Sequence, residues 1–180
     1  MSNEKFKLKK RAFLKKIAFI PAFINFFFIS SVKTAFGTKS AKDKADLIVV
    51  WKSKRKMILF NQSIPIKEYY IKLGFNPIGH KISEGDGRTP EGRYFIDRIN
   101  LKSRYHKSLG ISYPNKKDIA TAKKRGLDPG GEIFIHGGPR TNWLFNFFRD
   151  WTAGCIAVSD REIEEIVNLV PVGTVIYIYK

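Results

Sequence analysis

Short runs of apolar, aromatic and β-branched residues, separated by charged or glycine-rich turns, recur along the chain after residue 46. This pattern is typical of β-strands that are half-buried or fully buried. The predicted strands are Leu47–Trp51, Met57–Phe60, Lys67–Lys72, Tyr94–Ile99, Glu132–His136 and Thr174–Tyr179. Between the third and fourth lies Glu84–Gly92, where three glycines and a proline in nine residues predict a turn.

Two segments have helical signals instead. Asn115 to Gly126 begins with a favourable capping residue and ends at a glycine. Ser159 and Glu162 have the spacing of a capping box, and an apolar stripe at i, i+3, i+4 and i+7 runs through Ile163–Val170. Because the strands outnumber the helices and do not alternate with them, we expect a mainly β domain with two or three short helices.

The first 37 residues have the order of a secretory signal. A basic stretch, Lys5–Lys16, precedes an apolar stretch, Ile17–Ile29, and small and polar residues follow. The apolar stretch is shorter than the ~20 residues that a membrane-spanning helix needs. We expect 1–37 to be a signal peptide, or a signal anchor that tethers the protein to the membrane, followed by a linker at 38–45 and a domain at 46–180. Export would place that domain in the periplasm or cell envelope of a bacterium.

The composition changes this picture in two ways. The chain has 33 Lys and Arg against 16 Asp and Glu, a formal charge of +17. The predicted signal holds +7 of it, and the remaining +10 is scattered without a nucleic-acid-binding motif, so we expect no nucleic-acid partner. The single cysteine excludes an internal disulfide and any site built from several cysteines.

That cysteine, Cys155, is the main candidate for chemistry. A lone cysteine in an exported chain is buried and inert, a bridge between two subunits, or a reactive thiol. Gly154 before it permits a close backbone approach or an unusual dihedral angle, and N–H groups in such a turn can stabilise an oxyanion. A thiol with an ordinary pKa of ~8.5 needs a neighbouring base or cation to act as a nucleophile at neutral pH.

Three histidines are candidates for that base. His136 ends an apolar run and is followed by Gly137 and Gly138, so its imidazole is expected at a strand end beside a flexible turn. His80 and His106 are interpreted as structural, hydrogen-bonded residues. His136 is therefore the preferred partner of Cys155.

These residues together resemble the signature of the YkuD-type L,D-transpeptidase catalytic domain. His136-Gly137-Gly138 is followed by Thr152-Ala153-Gly154-Cys155-Ile156, with the cysteine 19 positions after the histidine. Gly85–Gly92 is similar to the family's Thr-Pro-x-Gly turn, and Leu109–Asn115 is similar to a recurrent block of one branch. The resemblance covers roughly residues 46–180 and implies a β-sandwich-like fold.

The resemblance also implies a mechanism. Cys155 would attack a carbonyl of diaminopimelate in a peptidoglycan stem peptide and release D-alanine, with His136 moving the proton. The carbonyl of Gly137 would orient His136, and N–H groups near Gly154 would stabilise the oxyanion. An amine of a second stem would complete a 3→3 cross-link, whereas water would make the protein a hydrolase. No metal or organic cofactor is implied, and a carbapenem is expected to acylate the thiol.

The chain departs from the family at two positions. Many members have His at the position of Ala153 and Arg at that of Ala157. The arginines that could substitute are Arg88, Arg93, Arg140 and Arg149. Other candidate substrate-binding residues, besides Arg88 and Arg149, are Tyr113, Trp151 and Thr152. The apolar residues from Trp143 to Phe148 form either a helix packed on the core or a wall of the substrate groove. An inactive wall-binding module remains a third alternative to a transferase or a hydrolase.

Overall fold

The computed structural model describes residues 44–138 and 149–180. These residues contain eight strands and two helices, whose bounds follow in chain order. They are β1 (Leu47–Trp51), β2 (Lys56–Asn61), β3 (Ile64–Tyr70), β4 (Gly92–Ser103), β5 (His106–Ile111), α1 (Lys116–Lys124), β6 (Phe134–His136), β7 (Ile156–Ala157), α2 (Asp160–Leu169) and β8 (Val175–Tyr179). The expected mainly β class with short helices is confirmed.

The strands form one sheet in the order β3-β2-β1-β8-β4-β5-β6-β7. Neighbouring strands are antiparallel, except that β1 is parallel to β8 and β6 is parallel to β7. The long strand β4 joins the two halves, since Gly92–Phe95 pairs with β8 and Ile96–Ser103 pairs with β5. Two register irregularities in the second half of β4 bend the strand, because bulged positions increase local twist. The sheet therefore curls around its apolar face.

The core lies inside this curl. Alternate residues of the strands point inward, as the period of two requires. The fully buried inward residues of β1, β2 and β8 are Ile48, Val50, Met57, Leu59, Ile176 and Ile178. Helix α2 packs against β5 and β6 through its apolar stripe, in which Ile163 and Ile166 are fully buried. Each such side chain contributes about 1.5–3 kcal/mol of burial free energy.

The two helices begin where their caps predict. The Asn115 side chain accepts the N–H groups of Lys117 and Asp118, and the Asp118 carboxylate accepts the N–H of Asn115. At α2, the Ser159 hydroxyl and the Glu162 carboxylate make the corresponding reciprocal bonds. Both capping residues predicted from the sequence are confirmed.

Strand β5 was not predicted, and β3 starts three residues earlier and ends two residues earlier than the predicted strand Lys67–Lys72. The residues of β5, which include Leu109 and Gly110, do not alternate between apolar and polar, so the sequence pattern does not predict a strand there. The signal segment, Arg140 and the aromatic segment 143–148 lie outside the described residues. Among the residues that are described, no helix is long and apolar enough to cross a membrane.

Candidate active site

The parallel pairing of β6 and β7 brings the predicted nucleophile and base to one place. His136 is aligned with Ala157, and Cys155 lies two residues before Ala157. Side chains two residues apart on an extended chain share a face, so the thiol and the imidazole face the same side of the sheet. Both line one cavity of about 390 Å³.

The rest of this cavity is lined by residues that no sequence motif indicated. The hairpin formed by β4 and β5 supplies one wall, with Asn100, Ser103, Arg104, Tyr105 and Ser108. Glu132 and Phe134, at and before β6, supply the remainder. The one signal that could have identified the hairpin is its position directly before the family-like block Leu109–Asn115.

The imidazole of His136 has a defined tautomer. Its Nδ1 lies 2.6 Å from the carbonyl oxygen of Gly137. A carbonyl can only accept, so Nδ1 carries the proton and Nε2 has a free lone pair. The residue is 3% exposed, and this burial lowers the pKa of His136, although the bond to Gly137 opposes the shift. The neutral, buried imidazole therefore presents a basic nitrogen at neutral pH.

Two aromatic rings hold the His136 ring in place. Tyr105 stacks on it with ring centroids 4.5 Å apart and an interplanar angle of 29°. Trp151 meets it edge to face at 5.7 Å and 68°. Trp151, a predicted substrate-binding residue, thus contacts the predicted base itself. Tyr105 was not predicted at all.

The thiol of Cys155 lies against the backbone of Glu132 and Phe134, a few residues before His136. Its Sγ accepts the N–H of Phe134 at 3.4 Å and donates to the carbonyl of Glu132 at 3.6 Å. Burial raises the pKa of Cys155, with the Phe134 N–H and the charge of Lys81 acting in the opposite direction. The thiol is therefore protonated at neutral pH, and its activation requires a base.

The turn before Cys155 depends on glycine and threonine. Gly154 has φ of 132°, and a Cβ there would lie 2.7 Å from the carbonyl oxygen of Arg88. The buried Thr152 hydroxyl donates to the Cys155 carbonyl at 2.7 Å and accepts the Gly154 N–H at 3.2 Å. Since the Gly154 amide is engaged in this way, the Cys155 amide is the better placed of the two for a tetrahedral oxyanion.

Gly137 is held in a similarly close-packed position. A Cβ at this residue would lie 2.8 Å from the carbonyl oxygen of Tyr105. The next N–H, that of Gly138, donates to Asp160 Oδ1 at the start of α2 at 2.9 Å. These contacts fix the carbonyl that sets the His136 tautomer.

A buried lysine fixes the loop that backs the Cys155 turn. Lys52, 2% exposed, donates to the carbonyls of Gly79 and Thr89 at 2.5 and 2.8 Å and to the Glu91 carboxylate at 2.9 Å. Desolvation lowers the pKa of Lys52, and the bond to Glu91 opposes the shift. The loop it holds includes Arg88, whose carbonyl faces Gly154.

The other predicted substrate-binding residues do not line the cavity. Tyr113 is buried in the core and donates to the carbonyl of Pro129 at 3.1 Å. The Arg88 guanidinium lies beside Gly79, and Arg149 is exposed. Among the described residues, the arginine that lines the cavity is Arg104.

Arg93, another arginine offered as a substitute for the family's, lies over the ring of Phe95 at 4.5 Å. It is absent from the described residues that line the cavity. Arg140 falls outside the described part of the chain. Of the arginines selected from the sequence, the three that the structure describes, Arg88, Arg93 and Arg149, do not line the cavity.

His80 and His106 are hydrogen-bonded away from Cys155, as expected. His80 accepts the Glu91 N–H at 3.0 Å, and its Nε2 lies 3.2 Å from Asp118. His106 Nε2 lies 2.8 Å from Glu164 on α2. Of the three histidines, His136 shares the cavity with the thiol.

Comparison with known proteins agrees with this geometry. The sequence model of the YkuD family, described as the L,D-transpeptidase catalytic domain, matches residues 45–178. YafK of Escherichia coli K12, whose name provisionally assigns it to the L,D-transpeptidases, is 30% identical over 129 residues. That alignment covers 68% of this chain and 46% of YafK, so the chain spans about half the length of the curated relatives it matches.

Solved structures share the fold. The helical cell shape determining protein Pgp2 of Campylobacter jejuni aligns with a TM-score of 0.56 and 23% identity, covering 77% of this chain and 51% of Pgp2. Bd1075 of Bdellovibrio bacteriovorus aligns with a TM-score of 0.52 and 24% identity, covering 78% and 50% of the two chains. At this identity the likeness concerns the fold.

Proposed function

Because the chain belongs to the L,D-transpeptidase catalytic domain family, whose members act on peptidoglycan stem peptides, we propose that it is an exported cysteine acyltransferase. Its donor substrate would be a stem peptide with diaminopimelate followed by D-alanine. Its product would be a 3→3 cross-link or another amide attached at the same carbonyl. One observation carries this proposal: Cys155 and the free Nε2 of a neutral His136 belong to one cavity.

In the first half-reaction the Cys155 Sγ attacks the diaminopimelate carbonyl while its proton passes to His136 Nε2. The carbonyl oxygen becomes an oxyanion, for which the Cys155 N–H is the nearest backbone donor in the turn. Collapse of the intermediate breaks the amide bond. The departing D-alanine nitrogen takes the proton from His136, and a thioester to Cys155 remains.

In the second half-reaction an amine of another stem attacks the thioester. The amine gives its proton to His136, and the thiolate takes that proton when the new amide forms. The buried neutral pair supports this order, because a protonated thiol and a neutral imidazole are the states that burial favours for Cys155 and His136. Water in place of the amine would complete a hydrolysis instead.

Purified muropeptides separate these outcomes. A transferase converts disaccharide tetrapeptides into dimers that have lost one D-alanine, which mass spectrometry detects as a mass gain. A hydrolase yields only shortened monomers, and a wall-binding module leaves the muropeptides unchanged while the protein still sediments with cell walls. If Cys155→Ala no longer forms dimers, the proposal is supported. If this variant still forms them, the proposal is contradicted.

The location and cellular role are part of the same proposal. The basic and apolar start of the sequence supports export to the periplasm or cell envelope. The fold similarity to Pgp2, a protein named for determining helical cell shape, supports a role in wall shape. Fractionation of cells that express the full chain, followed by immunoblotting, tests export. A protein found entirely in the cytoplasmic fraction contradicts it.

A further inference from the structure

The hydroxyl of Ser108 is the unexplained polar group of the active-site cavity. Ser108 is 4% exposed and lines the cavity together with His136 and Cys155. Among residues 44–138 and 149–180, nothing forms a hydrogen bond with this hydroxyl. Its Oγ is not among the fully buried atoms of the described residues that lack a partner, so it is open to the cavity, where it can bond to a molecule from outside the chain.

The sheet places Ser108 in a row with His136. Asn100 on β4 is aligned with Ser108 on β5, and Ser108 is aligned with His136 on β6. Aligned residues of neighbouring strands point to the same face with Cβ atoms about 4.5–5.5 Å apart. His136 is in turn aligned with Ala157 on β7, the strand that follows Cys155. The imidazole of His136 therefore has Ser108 of β5 on one side. On its other side lies β7, which directly follows Cys155.

This order assigns a side to each half of the substrate. The acyl half becomes bonded to Cys155, whereas the amine half receives its proton from His136. Because β6, which carries His136, lies between β5 and β7, a substrate bonded to Cys155 would have its departing residue on the other side of the imidazole, toward Ser108. In the proposed reaction that residue is D-alanine, which carries a free carboxylate.

A cation is available on the same side. Arg104, at the hairpin end, lines the cavity and lies over the Tyr105 ring at 5.2 Å. Tyr105 itself stacks on His136. The cavity also contains the acidic Glu132, whose carboxylate lies 3.0 Å from Arg98, an arginine that it shares with Asp97. Arg104, in contrast, is paired with no carboxylate of the described residues, so its positive charge is available to a substrate.

We infer that Ser108 and Arg104 form an amine-side subsite that recognises the terminal carboxylate of the departing residue. The Ser108 hydroxyl would donate to this carboxylate, and the Arg104 guanidinium would pair with it. The inference rests on the proposed function for the identity of the substrate. Arg104 would supply the positive charge that many family members have from an arginine at the position of Ala157.

The test measures equilibrium binding, so that it does not depend on turnover. The full chain carrying Cys155→Ala is titrated with a diaminopimelate-containing tetrapeptide that ends in D-alanine. The same peptide with a C-terminal carboxamide serves as the comparison. We expect the acid to bind about tenfold more tightly than the amide, as for a hydrogen bond to a charged group.

Adding Ser108→Ala or Arg104→Gln should reduce this preference, and the two together should bring it near one. Ser108→Thr keeps the hydroxyl and should keep most of the preference, which a loss of packing alone would not predict. Lys102→Gln, on the same hairpin, and Ser53→Ala, in the β1–β2 turn, are matched controls that should leave it unchanged.

Equal binding of acid and amide, or a preference that survives both substitutions, overturns the subsite. Failure to bind either peptide overturns it as well. The proposed function fails by a different result, namely that the unsubstituted protein never forms a covalent adduct at Cys155. The two failures are thus distinguishable.

Discussion

Arg55 and Asp150 form an ion pair that joins the β1–β2 turn to the segment leading to Cys155. Arg55 Nη2 lies 2.6 Å from Asp150 Oδ2, and Arg55 Nε lies 2.9 Å from Oδ1. The two side chains are 11% and 10% exposed. Asp150 Oδ1 also accepts the N–H of Leu73 at 2.9 Å. The next residue, Trp151, meets His136 edge to face, so the pair helps to set the position of the imidazole.

Removing one partner of this pair should be costly. Arg55→Met leaves the buried Asp150 carboxylate uncompensated, and we expect the free energy of unfolding to fall by about 3 kcal/mol. Urea denaturation measures this loss. In a double-mutant cycle, Asp150→Asn added to Arg55→Met should cost much less than it does alone. Additive losses would show that the two side chains are not coupled.

Substitution of Gly154 should strain the turn before Cys155. Gly154→Ala places a Cβ 2.7 Å from the Arg88 carbonyl oxygen at φ of 132°. We expect a loss of at least about 2 kcal/mol in the free energy of unfolding. Gly131→Ala is the control, because its Cβ would meet only ordinary contacts at 3.9 Å. Equal thermal unfolding curves for the two variants would contradict this account of the turn.

The Thr152 hydroxyl should matter more than its methyl group. Thr152→Ala removes the bonds to the Cys155 carbonyl and the Gly154 amide, and we expect a loss of about 1–2 kcal/mol in stability. Thr152→Ser keeps the hydroxyl and should retain most of that stability. Acylation of Cys155 should slow in the first variant alone. A Thr152→Ser protein that behaves like Thr152→Ala points to packing instead.

The pH dependence of acylation should show a broad plateau. Burial lowers the pKa of His136 below its ordinary 6.5 and raises that of the Cys155 thiol above its ordinary value. The reactive combination is a neutral imidazole beside a protonated thiol, so the rate should fall only at pH values below 6.5. Rates of carbapenem addition measured from pH 5 to 10 test this. An acid limb centred above pH 6.5 would contradict the buried-base account.

The same shift has a consequence for stability. Because the pKa of His136 is lower in the folded protein, the unfolded chain binds more protons as the pH falls. The contribution of His136 is fully present above the unfolded-state pKa near 6.5 and is lost as the pH falls through the folded-state value. His136→Gln should therefore flatten the acid side of the stability curve. An unchanged pH dependence in this variant would assign the acid sensitivity to other groups.

The elements that local sequence specifies were predictable. Asn115 and Ser159 begin helices because their side chains accept N–H groups one turn ahead, which requires only residues close in the chain. Cys155 and His136 could be selected because glycines lie beside them. Gly154 precedes the cysteine, and Gly137 and Gly138 follow the histidine. The parallel pairing of β6 and β7 then brings the two together.

The walls of the site were not predictable in this way. Tyr105, Arg104 and Ser108 reach the cavity because β5 pairs with both β4 and β6, a long-range relationship that no local pattern encodes. Conversely, Tyr113 was selected for its place in a family-like block, yet its ring is part of the core. Local sequence motifs were enough to select Cys155 and His136 as the proposed reacting pair, whereas the pairing of distant strands determines which residues surround them.

The most direct test of Cys155 as the nucleophile is the mass of the intact protein after incubation with a carbapenem. We expect an adduct of one carbapenem per chain, located on the peptide that contains Cys155. We expect no adduct in Cys155→Ala and strongly slowed formation in His136→Gln, because the protonated thiol then lacks its base. An adduct that forms unchanged in Cys155→Ala would contradict the assignment of Cys155 as the nucleophile.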